Sequence, residues 1–167
     1  MLESIKSAQP WHWAARGKHP VAKDYFSLGP DSLLIKAFSD WIERGYKALG
    51  SRERPSSKLC SWRFWAKGPK RETLVCGVGR DSSDSLGRPY PLLIIGTGPL
   101  KGWEGHWELL PFACEKTWSQ IEYLSTRRFI DFKQWEDAIR IIKPPYPNWP
   151  EFVSQRRNLR ASSWNPG

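Results

Sequence analysis

The chain has 167 residues, with 26 Lys and Arg against 17 Asp and Glu for a net charge of +9. Hydrophobic residues at 40% and charged residues at 26% exclude disorder and a coiled coil for most of the length. The size is that of roughly one domain, able to bury ~70% of its unfolded surface without a disulfide or metal staple.

The first element expected is a short strand over Trp11-His12-Trp13-Ala14-Ala15, followed by the turn-rich Arg16-Gly17-Lys18-His19-Pro20. Asp31 then reads as the N-cap of a helix, because Leu34, Phe38, Trp41, Gly45 and Ala48 recur at three- and four-residue steps until Gly50 stops it. Residues 51–58 form a polar loop. Three strands follow, over Leu59–Ala66, Thr73–Gly79 and Tyr90–Gly96, and the apolar run in the last one predicts burial on both faces. Glu104 to Thr126 is helical by period, with Pro111 expected to break or kink it, and Asp131 caps a further short helix. Lys143 to Pro150 runs extended over the surface, and residues 151–167 form a basic tail that frays or leads into a longer protein. The expectation is a single α/β domain over 1–150 with a mixed, largely antiparallel sheet.

Nothing in this chain reads as a membrane segment or a signal peptide. The longest apolar run, Leu92-Leu93-Ile94-Ile95, falls far short of the ~20 residues that span a bilayer, and Met1–Pro10 lacks an apolar region and a small-residue cleavage site. Cys60, Cys76 and Cys114 are too widely spaced for a C-x-x-C pair and read as buried thiols in a reducing, cytoplasmic setting. The 11 Trp are too many to be wholly buried, and the surplus leans towards a binding protein.

No reaction centre emerges. Gly77-Val78-Gly79 lacks the third glycine and following helix of a dinucleotide loop, and His12, His19 and His106 lie too far apart to share a metal by a local motif. Asp81 and Asp84 share one loop without a His base, which favours turn-capping or pairing with Arg88. No enzyme, cofactor or metal is therefore expected. The alternative reading is a basic, aromatic module for nucleic acid or another anionic surface, prompted by Trp62-Arg63-Phe64-Trp65-Ala66-Lys67. Its basic residues otherwise occur as scattered pairs rather than one stripe, so nucleic acid is the lesser expectation.

Three segments in order resemble motifs of the TagF (ImpM) family, proteins associated with bacterial type VI secretion. They are Gly17-Lys18-His19-Pro20 with Asp24-Tyr25, then Trp62-Arg63-Phe64, then Asp84-Ser85-Leu86-Gly87-Arg88-Pro89-Tyr90-Pro91-Leu92. Lys23, Asp81 and Pro89 depart from the family pattern. The resemblance covers residues ~13 to ~140, most of the single expected domain. It implies a three-layer α/β/α sandwich and a cytoplasmic, non-enzymatic accessory protein that restrains type VI assembly or firing. The partner it implies is the forkhead-associated scaffold protein of that system. On that reading Gly17, Lys18, Pro20, Asp24, Tyr25, Trp62, Arg63, Asp84, Gly87, Arg88, Tyr90 and Pro91 form a partner-binding surface, with the Asp24 turn beside the Asp84–Arg88 loop.

Overall fold

The computed structural model describes residues 10–50 and 59–163. The polar loop expected at 51–58 lies outside them. Five strands form one sheet: β1 His12–Gly17, β2 Phe26–Leu28, β3 Ser61–Lys67, β4 Thr73–Arg80 and β5 Leu92–Pro99. Their order is β2-β1-β5-β4-β3, and all four pairings are antiparallel, so the sheet is uniform rather than mixed. The three-residue β2 extends the sheet by an edge strand that no sequence period announces.

One helix, α1 (Leu33–Gly50), covers one face. Its Ile35 and Ile42 meet Ala14, Val75, Leu93 and Ile95, with Phe38 stacked on Phe64 of β3 at 5.1 Å. The other face carries α2 (Leu110–Thr126), α3 (Phe132–Arg140) and α4 (Trp149–Ser163) over Trp13, Leu74, Cys76, Val78 and Ile94. This is the expected three-layer α/β/α sandwich, and it explains the unbroken apolar run of β5: helices lie on both sides of it.

Three of the tryptophans fill space left by strand glycines. A Cβ at Gly79 would sit 2.3 Å from the ring of Trp62, and one at Gly96 would sit 2.3 Å from Trp13. Gly77 lies likewise under Phe64, and Gly98 under Trp11. Each ring covers a glycine on a neighbouring strand, so aromatic and glycine are packed as a unit. The surplus does reach the surface, with Trp41 60% and Trp107 58% exposed.

Several local expectations shift. The cap of α1 is Ser32, whose Oγ accepts from the Ile35 amide at 3.2 Å, whereas the Asp31 carboxylate reaches towards Arg16 at 3.7 Å. Removing that cap with Ser32→Ala should cost about 1 kcal/mol in urea unfolding. Pro111 opens α2 instead of breaking it, because a first-turn proline sacrifices no helical hydrogen bond; the preceding residues form short 3-10 turns at Trp103–Gly105 and Trp107–Leu109. Asp131 caps α3 as expected, accepting from the Gln134 amide at 2.8 Å. The boundary expected at 150 falls inside the first turn of α4, where Phe152 is buried in the larger core. Cys76 and Cys114 are buried but Cys60 is exposed, which corrects the expectation of three buried thiols. No helix among the described residues is long and apolar enough to cross a membrane.

Candidate functional site

At one end of the sheet the β1–β2 loop (residues 18–25) and the β4–β5 loop (residues 81–91) are tied together. The tie is Asp84. Its side chain is fully buried, and its Oδ2 accepts from Lys18 Nζ at 2.9 Å and from Arg88 Nε at 2.8 Å. Its Oδ1 accepts from the Leu86 and Arg88 amides, both at 3.0 Å. Gly87 makes this tight return feasible, with a φ of 77° that a side chain would strain. Burial alone would raise the Asp84 pKa. The bonds from Lys18, the two amides and the Arg88 guanidinium outweigh it and hold the carboxyl well below the usual range.

Arg88 carries the tie outward. Its Nη2 donates to the Lys23 carbonyl at 2.8 Å and lies 3.4 Å from Asp24 Oδ2. Asp24 in turn accepts from the Tyr25 amide at 2.7 Å, and this bond, with the Arg88 charge, lowers its pKa. A backbone bond from the Ser85 amide to the Ala22 carbonyl, at 2.8 Å, closes the two loops. Gly17 sits where β1 leaves the sheet; a Cβ there would lie 2.0 Å from the Pro91 carbonyl oxygen. Tyr25 packs edge-on against Tyr90 at 5.4 Å, and burial, with the Glu43 charge and neighbouring tyrosines, pushes the Tyr90 phenol up to about 12. Pro91 is buried, while Pro20 is exposed on the rim.

Ten of the twelve candidate residues thus gather here. Trp62 and Arg63 do not join them in contact. Both belong to β3, the edge strand opposite β2, and they point to opposite faces. Trp62 lies over Gly79 on the α1 side. Arg63 faces α2, where it pairs with Glu122 and Glu115, each at 2.7 Å, and sits over the Trp118 ring at 5.7 Å. These carboxylates raise its pKa further. This segment fastens the edge strand to the helical layer.

Asp84 has spent its acceptor capacity on four donors, and the Asp81 carboxylate accepts from the Cys60 amide at 2.9 Å. No three His, Cys, Asp or Glu side chains converge among the described residues in a way that would hold a metal. Spacing could not show the role of Lys18, which lies 66 residues from Asp84 in the chain.

An antiparallel α/β/α sandwich with a clasped pair of loops at one end defines the class. The chain belongs to the family described as TagF N-terminal domain, type VI secretion system-associated, whose model matches residues 14–142. Among solved structures it is similar to PA0076 from Pseudomonas aeruginosa PAO1, with 20% sequence identity and a TM-score of 0.58. That likeness is one of fold. It covers 80% of this chain and 63% of the other, so the chain matches under two thirds of that protein's length. No curated protein matches.

Proposed function

We propose that this protein is a cytoplasmic, non-enzymatic accessory factor of a type VI secretion system that restrains assembly or firing by binding a scaffold component. The scaffold is a forkhead-associated protein of that system. The observation that carries the reading is the family match over 14–142, whose loop motifs meet in the Lys18–Asp84–Arg88–Asp24 clasp. A fixed loop pair lowers the ordering cost of binding, because fewer side chains and backbone torsions are left to freeze. Asp81 and Asp84, the two carboxylates of the β4–β5 loop, are committed to structure, which favours binding over turnover.

The test is capture of the forkhead-associated scaffold from a type VI-positive Gram-negative lysate by the tagged protein, compared with Arg88→Ala. Arg88 is half exposed and lies outside the core. Retention of the scaffold by the parent and its loss from the variant is the expected result. Scaffold captured by neither, with nucleic acid recovered and released by salt, would transfer the reading to the anionic-surface alternative.

A further inference from the structure

The clasp has a neighbour that belongs to none of the three motifs. The loop joining α2 and α3, residues 127–131, packs against the β1–β2 loop through His19, whose ring lies 6.0 Å from Phe129 and is stacked on Trp135 at 5.0 Å. The end of α2 is also bound to the end of β4, where Arg80 Nη1 donates to Ser125 Oγ at 3.2 Å. Three loops therefore share one end of the sheet. They present two apolar side chains with almost no cover, Leu86 at 72% and Ile130 at 90% exposure. Both stand on fixed backbone: the Leu86 amide donates to Asp84, and the Ile130 amide donates to Gln134 Oε1 at 3.0 Å.

The charges around these two side chains are one-sided. Asp84 is buried in the clasp and Asp81 is bound to the Cys60 amide, while the exposed Asp24 faces Arg88 and the exposed Asp131 holds the Gln134 amide. Lys23, Arg127 and Arg128 are exposed, and none of them pairs with a carboxylate among the described residues. Arg127 is held in place over the rings of Tyr123 and Phe129, at 5.6 and 5.5 Å. The surface offers these three cations, without a carboxylate partner among the described residues, beside two apolar knobs, so complementarity favours carboxylates flanking aliphatic side chains. A nucleic-acid strand would instead need a run of free stacking aromatics along a basic groove; here the exposed aromatics are Tyr25, set edge-on to Tyr90, and Tyr123, whose ring Arg127 already covers.

We infer that Lys23, Leu86, Arg127, Arg128 and Ile130 form a docking surface for an acidic, aliphatic segment of a protein partner. This rests on the proposed binding function and specifies the chemistry of what is bound. The test is fluorescence anisotropy with a labelled Glu-Leu-Glu-Ser repeat peptide, the matching Lys-Leu-Lys-Ser peptide and an oligo(dT) of equal length.

Saturable binding of the Glu peptide alone is expected, with Kd raised about tenfold or more by Arg128→Glu and again by Ile130→Ser. Both side chains are exposed, so circular dichroism should show each variant folded like the parent. Three results would overturn the inference: no saturable binding of the Glu peptide, binding indifferent to both substitutions, or oligo(dT) bound as tightly as the Glu peptide. Scaffold capture that persists without peptide binding removes this surface and leaves the proposed function standing. Peptide binding without scaffold capture does the reverse.

Discussion

Asp84→Ala should lower the melting temperature by about 10 °C, the larger of the single-residue effects at the clasp. The substitution deletes one small side chain but strands several groups. Lys18, with only 12% of its side chain exposed, loses its buried counter-charge. The Leu86 and Arg88 amides lose their shared acceptor, and the Arg88 guanidinium loses its inner anchor. A nearly buried cation left with only the exposed Asp24 at 3.9 Å is more costly than the pair was favourable, which is why the effect exceeds that of a surface ion pair. Asp84→Asn should recover only part of the loss, since its amide keeps one acceptor for the backbone but turns a donor towards Lys18 and Arg88. Calorimetry on the three proteins settles the matter. A drop within about 4 °C for Asp84→Ala would rank the clasp with ordinary surface pairs.

Acid should weaken the protein in two windows with different owners. His19 is 2% exposed, and its Nδ1 accepts from the Val21 amide at 3.1 Å while Nε2 makes no hydrogen bond of good geometry. Burial lowers its pKa from 6.5 to about 4; the nearby Leu124 carbonyl opposes the change and the Arg80 charge adds to it. Between those values the unfolded chain binds a proton that the folded protein refuses, so stability falls as pH falls through that range. The loss approaches about 3 kcal/mol near the lower limit, taking 1.36 kcal/mol per unit. Asp84 acts below this. Its pKa is depressed by folding, so its contribution is complete above about 4 and disappears as pH falls further. His19→Gln should be less stable at neutral pH yet insensitive to pH in the His19 window. Urea unfolding of both proteins at several pH values tests this, and parallel pH profiles would remove His19 as the cause.

The layered fold was legible wherever a period ran long enough. The spacing Leu34–Phe38–Trp41 placed α1, and Leu92 to Ile95 marked a strand covered on both faces. Phe26–Leu28 escaped because three residues carry no period. Asp31 and Ser32 are both good caps, and only the backbone decides between them. The start of α4 was hidden because Trp149-Pro150 continues a proline-rich stretch, although proline in a first helical turn costs nothing. For the site, Asp84, Gly87 and Arg88 were readable as a local turn. Lys18 entered only through the family resemblance, and its bond to Asp84 stayed hidden because only the β1–β5 pairing brings the two together. Arg127 and Arg128 read as one more scattered basic pair until His19, stacked on Trp135 and edge-on to Phe129, placed their loop beside the clasp.

The register of β1 on β5 has a consequence for synthesis. Gly17 pairs with Leu92 and His12 with Thr97, partners about 80 residues apart, while β3, β4 and β5 follow one another as hairpins. At ribosomal speeds of about 5–20 residues per second, β1 waits roughly 4–16 s for its main neighbour to be made. Until then it can pair only with the three-residue β2. A strand whose Trp13, Ala14 and Ala15 end up buried is therefore exposed early and long, and becomes a natural stretch for a chaperone to hold on the nascent chain.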